Sequence, residues 1–377
     1  MHWRPSAETC LANDSEFSCT LPDHFEGDGD IAGPGVFWAF VVAAFLPIIP
    51  AGLGMVWEGL EYRRQLNRQY FPSLRNYFDA FLISVGDTQI VTSLALLITA
   101  DFFMGCNISA YHYNLACKLV LISSASHIAS IAFVHRYFKR SLILGAIRCS
   151  LILGTHAIGW DLIARRAMSP IFPNAGPSNS LLNNTGQNGT SLVLPAACFF
   201  NHPGVSAVKS YDNFTASPHW ILNVTATPAT NSSIGSNGTA TLNFENFSNN
   251  DDLSNDDLGA YVAIAIAIFL TLLASCILNV YERSDKPQRR HWTACCFRCS
   301  SFIIVYVVMF YEFTKFRALQ GWMIESGLFG EDDGETTFGS FGQVMPVILL
   351  ALPLLAGCEE IFAESKTSKA STDDEKF

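Results

Sequence analysis

Seven stretches of this chain are each about 20 residues long and almost wholly apolar, the length a helix needs to cross a bilayer core about 30 Å thick. They cover residues 34–57, 79–101, 113–134, 141–162, 260–280, 301–320 and 342–360. No water is available in lipid to satisfy a bare backbone, so continuous apolar runs of this length are read as helices. The 377 residues are 50% hydrophobic and only 15% charged, against about 25% charged in a soluble domain. Residues 170–258 are nonetheless almost free of apolar runs, so the apolar residues are concentrated elsewhere. The expected fold class is all-α: a polytopic membrane bundle of about seven transmembrane helices. A soluble two-domain enzyme is excluded. The net charge of −10 argues against nucleic acid as a partner and leaves the lipid bilayer.

Lys and Arg gather on the cytoplasmic side of membrane proteins. With the N-terminus outside, segments 58–78, 135–140, 281–300 and 361–377 carry 4, 3, 5 and 3 basic residues. The other side carries Arg4, Arg165, Arg166 and Lys209. The expected layout is an outer tail 1–33, helices one to four over 34–162, a long outer loop 163–258, helices five to seven over 259–360, and a cytoplasmic tail 361–377. Residues 1–33 have no apolar core, so the first span is expected to act as its own signal.

Glycosylation sequons give an independent check, because the modification occurs on the lumenal side. Seven start at Asn183, Asn188, Asn213, Asn223, Asn231, Asn237 and Asn246, all in the long loop, with others at Asn13 and Asn107 on the same side. Within this loop, Trp220, Leu222, Val224 and Ala226 alternate, and after Ser236-Asn237-Gly238 the alternation resumes at Leu242 and Phe244. That pattern reads as a hairpin, against the alternative of a solvated linker.

The same topology sorts the cysteines. Cys10, Cys19, Cys106 and Cys198 lie outside, an even number in an oxidising space, which allows two disulfides with three connectivities. Cys117, Cys149 and Cys276 fall within spans as packing residues. Cys295, Cys296 and Cys299 precede span six on the cytoplasmic side, where palmitoylation is the functional reading and free thiols the simpler one. No metal motif or cofactor motif is present.

Ionisable residues inside a membrane are costly and mark functional candidates. Counting along helices at about 1.5 Å per residue, Asp87 on span two, His127 on span three and Arg148 on span four come to similar depths. They are expected to form one polar cluster with Gln89, helped by Ser123, Ser124 and Ser126. Mutual neutralisation of Asp87 and Arg148 is the simpler reading, and a proton-sensitive or ion-sensing site with His127 as the titrating member the sharper one. A second set comprises Lys118, Glu312 and Lys315, with Glu312 and Lys315 expected to pair along one helix face. Arg317 is expected to snorkel outward.

Several short motifs recur in order: Asp30-Ile31-Ala32-Gly33-Pro34-Gly35, Asp87-Thr88-Gln89, Ile108-Ser109-Ala110-Tyr111-His112, Ser123-Ser124-Ala125-Ser126-His127 and Arg136-Tyr137-Phe138-Lys139-Arg140. On these, residues 28–165 resemble a group of uncharacterised multi-pass membrane proteins of filamentous fungi. The resemblance implies a topology and brings no mechanism. Pro34 stands where that group usually has an aliphatic residue, and the aromatic pair expected before Ser123 is absent. His135-Arg136-Tyr137 and the pair Cys106 and Cys198 give a weaker likeness to heptahelical receptors, which implies a bridge between Cys106 and Cys198. Cys-Trp-x-Pro in span six and Asn-Pro-x-x-Tyr in span seven are missing.

The sequence therefore points to an integral membrane glycoprotein of the plasma membrane or secretory pathway. Surface reception or sensing is the first functional reading, and a transporter or channel for a small solute or ion the alternative. Span one holds Pro47, Pro50, Gly52 and Gly54, which can unwind or merely kink it. An enzyme is not expected: residues 342–360 contain no His, and neither His-Glu-x-x-His nor Gly-x-Ser-x-Gly occurs.

Overall fold

The computed structural model describes residues 25–62, 72–133, 142–169, 191–200, 220–224, 242–246, 256–281, 287–326 and 341–356. It also describes residues 5–6, 9–10, 12, 17, 19, 172–173, 328–329, 335 and 358. The architecture is a helical bundle. In chain order its helices are α1 (Gly29–Ala32), α2 (Pro34–Phe45), α3 (Ile48–Tyr62), α4 (Pro72–Ile98), α5 (Ala110–Phe133), α6 (Leu142–Met168), α7 (Asp256–Tyr281), α8 (Pro287–Glu325) and α9 (Phe341–Leu349). Among the described residues, six helices are long and apolar enough to cross a membrane: Gly29–Val56, Asn76–Phe103, Ala110–Ile131, Ile143–Met168, Asp257–Ala274 and Cys295–Glu325.

The seventh apolar stretch forms a shorter helix, Val344–Ala356. Two prolines lie within it. Pro346 and Pro353 each lack the N–H that would close a helical turn, and at Leu350 the backbone tightens to a Val347 carbonyl three residues back, at 3.2 Å.

Span one begins at a built entry turn. The Asp28 side chain caps α1 by accepting from the Asp30 N–H at 2.9 Å, and Pro34 opens α2, where its missing N–H costs nothing. Pro47 then separates α2 from α3. Leu46 still donates to Val42 (2.8 Å) and Ala51 to Pro47 (2.9 Å), so the span is kinked and not unwound.

Helix α5 is the centre of the bundle: every residue from Ala110 to Ile131 is buried. The other spans present apolar faces to lipid, as Val91, Ile143, Leu153, Phe269, Ile303 and Val307 do. Close approach to α5 depends on small residues. A Cβ placed on Gly86 of α4 would lie 2.7 Å from Ser130 Oγ. One placed on Gly159 of α6 would lie 3.1 Å from the Val120 side chain. Spans one and six meet through an aromatic stack, with Phe37 at 4.5 Å from Phe316 and 5.8 Å from Phe313, centroid to centroid.

One end of the bundle is capped. Disulfides join Cys10 to Cys106 and Cys19 to Cys198, tying the N-terminal tail to the segments that follow spans two and four. The Cys106–Cys198 bridge implied by the receptor likeness is not formed, because both cysteines are taken by the tail. Ala110 donates to the Leu194 carbonyl (2.8 Å) and Ala196 to that of Ile108 (2.7 Å), laying residues 194–196 across the start of α5. Phe25 pairs in parallel with Phe329, which brings in the segment after span six. Further along the long loop, β1 (Trp220–Val224) and β2 (Leu242–Asn246) form the antiparallel hairpin that the alternation predicts, with Leu222 opposite Phe244.

Candidate functional site

The densest polar chemistry lies within the bundle toward the capped end, where α5, α6, α7 and α8 converge on four charges. Lys118 of α5 donates to both carboxylate oxygens of Asp257 on α7 (3.1 and 3.2 Å) and to Glu312 Oε2 on α8 (3.3 Å). Their side chains are only 5, 7 and 0% exposed, so each charge depends on its partners and not on solvent. Arg166 of α6 bonds Asp257 as well, and donates to Asn114 Oδ1 at 2.8 Å. Two cations thus face two carboxylates, and the set is neutral as a whole.

A neighbouring group ties span four to span two. Arg165 makes an i,i+4 pair with Asp161 and reaches Asp101 at 2.8 Å. Asp101 sits in a single π-helical turn, Thr99–Phe103, at the end of α4. The extra residue in such a turn re-aims side chains.

Closer to the cap, His112 and Tyr111 at the start of α5 both bond Glu335. His112 Nε2 lies 2.6 Å from Glu335 Oε1, and the Tyr111 hydroxyl donates to Oε2 at 2.8 Å. Ser109 holds His112 Nδ1 at 2.8 Å, and Phe25 stacks on the imidazole at 5.6 Å. These contacts close the cap onto the central helix.

The sequence cluster of Asp87, Gln89, His127 and Arg148 divides in two. Asp87 and Arg148 form a bidentate pair at 2.6–3.0 Å, with side chains 41 and 18% exposed. His127 is fully buried and turns instead toward His156 of α6, its ring centroid 5.7 Å away. Ser123, Ser124, Ser126 and Ser130 spend their hydroxyl protons on carbonyls one turn back in α5. The expected Glu312–Lys315 pair gives way to Glu312–Lys118, because Glu312 faces the core. Lys315 is half-buried and lies 5.1 Å from the Tyr311 ring centroid. Arg317 is exposed and donates to Gln320.

The modification candidates fall as follows. Asn223 and Asn246 lie on β1 and β2, while Asn183, Asn188, Asn213, Asn231 and Asn237 lie outside the described residues. Cys295, Cys296 and Cys299 sit on α8 itself, which starts earlier than the apolar run. They are half-buried, with Cys299 Sγ at 3.6 Å from Met55 Sδ of span one. Among the described residues no group of three or more His, Cys, Asp or Glu is arranged to hold a metal ion.

Sequence reasoning missed Asp257, Arg166 and His156. Asp257 precedes the apolar run and so reads as loop, and Arg165 and Arg166 read as outer-loop charges. The Asp161-to-Arg165 spacing of four was the available signal that the helix continues past residue 162. No protein-family model, curated protein or solved structure matches the chain.

Proposed function

We propose that this integral membrane protein is a surface receptor or sensor, with its capped end facing outward and its C-terminus in the cytoplasm. The proposal includes seven crossings, the short helix after residue 341 being the last, and a place in the plasma membrane or secretory pathway. It also includes kinship with the fungal multi-pass group on residues 28–165, and an absence of enzymatic activity.

The observation that carries the reading is the closure of the capped end over α5. Four chain segments meet at the first turn of the central helix, and Lys118, Arg166, Asp257 and Glu312 beneath it are mutually neutralised. A conduit needs polar groups that face a water-filled path. Buried charges that neutralise one another instead form a network with few alternative arrangements, which suits a bundle that switches as a unit. The basic bias of the opposite end and the sequons of the long loop support the orientation.

Transport is the second reading, favoured by the half-exposed Asp87–Arg148 pair. A deletion strain phenotyped across pH and solutes separates the two. An altered transcriptional response with unchanged solute flux supports sensing. A changed flux overturns it in favour of transport.

A further inference from the structure

Midway along the bundle, spans two, three and four bring together four polar side chains that the salt bridges do not use. Gly86, Gln89 and Ser93 share one face of α4, since residues three and four apart align on a helix. The close approach of Gly86 to Ser130 turns that face onto α5. The Gln89 backbone lies beside the His127 ring, and His156 approaches His127 from α6. Gln89, Ser93, His127 and His156 are 2, 0, 0 and 6% exposed. Gln89 Oε1, Ser93 Oγ and both ring nitrogens of His156 have no hydrogen-bond partner, and His127 has at most the Gln89 backbone.

Buried polar atoms are nearly always satisfied, and a concentration of unsatisfied ones calls for a guest. The donor set identifies its class. Two imidazoles, an amide oxygen and a hydroxyl offer both donors and acceptors but no formal charge. The carboxylates and cations of the bundle are engaged elsewhere, in Asp87–Arg148 and in the Lys118 and Arg166 network. An ion placed here would lack a counter-charge in a low-dielectric interior, a costly arrangement. A neutral molecule that donates and accepts carries no such cost.

We propose that Gln89, Ser93, His127 and His156 form an internal binding site for water between spans two, three and four. Water meets the requirement of two to four polar partners. It joins three helices beside the apolar contact of Ile90, Ile131 and Ile152.

X-ray radiolysis of the full chain in detergent micelles, followed by mass spectrometry, tests this, because trapped water oxidises the side chains beside it. Oxygen addition is expected at His127 or His156, with Leu119 and Leu121 of the same helix unlabelled. Ser93→Ala is expected to lower the melting temperature by removing one of the water's partners. A dry site gives no label at either histidine, which overturns the proposal whatever the variant does. Label together with a raised melting temperature in Ser93→Ala removes Ser93 from the site and overturns the four-residue assignment. One equivalent of tightly bound zinc or copper in the purified protein would replace water with a metal and overturn it as well.

Discussion

Lys118 and Glu312 sit 3.3 Å apart although 194 positions separate them in the chain, and each is buried to within a few per cent. Their contact joins the central helix to the sixth span. Through Asp257 the same lysine reaches the fifth span, and through Arg166 the network reaches the fourth. One neutral group of charges thus sets the relative position of four helices.

Removing a partner from this network should be severe. Asp257→Asn leaves Lys118 and Arg166 short of one negative charge in a site closed to solvent. Breaking a buried ion pair in this way costs about 3–5 kcal/mol. Thermal unfolding in detergent should show a large drop. Lys118→Met should cost a similar amount, and the double variant Lys118→Met/Glu312→Gln less than the sum of its two single changes.

The Asp87–Arg148 pair predicts a milder response. The pair joins two helices where the Lys118 network joins four, and Asn at position 87 keeps an oxygen that can accept from Arg148. Asp87→Asn should fold and reach the surface at close to normal levels, as measured by surface labelling. A loss as large as that of Asp257→Asn would show that Asp87 carries more than a pairing role.

Gly86 offers a test of packing alone. An added Cβ would lie 2.7 Å from Ser130 Oγ and 2.8 Å from Ser130 Cβ. Gly86→Ala should destabilise by about 1–3 kcal/mol, the usual cost of overpacking. Combining it with Ser130→Gly should restore most of the loss, read as a recovered melting temperature.

Disulfide mapping checks the cap. Peptides from the non-reduced protein should contain Cys10 joined to Cys106 and Cys19 to Cys198. Cys106→Ser should free Cys10 for alkylation and cost about 2–4 kcal/mol. A Cys106–Cys198 peptide would contradict the cap as described. Treatment of the membrane-inserted protein with an endoglycosidase should shift its mobility, with the glycans mapping to the long loop.

Much of the architecture was legible because lipid imposes a simple length rule. Spans one to six all fall where long, mainly apolar runs lie, and the hairpin follows from alternation at Trp220, Leu222 and Val224 resumed at Leu242 and Phe244. The seventh stretch has the composition of a span, and its described part, Val344–Ala356, is helical and shorter than the other six. The polar groups were harder to place. Depth along a helix puts Asp87, His127 and Arg148 at one level, yet it carries no information about rotation about the helix axis. Rotation sends His127 toward α6 and His156, and sends Glu312 inward to Lys118 instead of along its own helix to Lys315. Asp257 was hidden by its position at the edge of an apolar run, where a charge reads as loop.

The full enclosure of α5 bears on how the chain is made. Asn114, Lys118 and His127 suit this helix poorly to bare lipid, where a lysine at mid-bilayer costs about 2.5–3.5 kcal/mol on insertion scales. Its ionic partners Asp257 and Glu312 are synthesised 139 and 194 residues later. At the roughly 5–20 residues per second of ribosomal synthesis, the third span must wait many seconds before its lysine is neutralised. During that interval it needs shelter from lipid, from earlier spans or from the insertion machinery. Truncation before span five should therefore leave a fragment that is held or degraded at the site of synthesis.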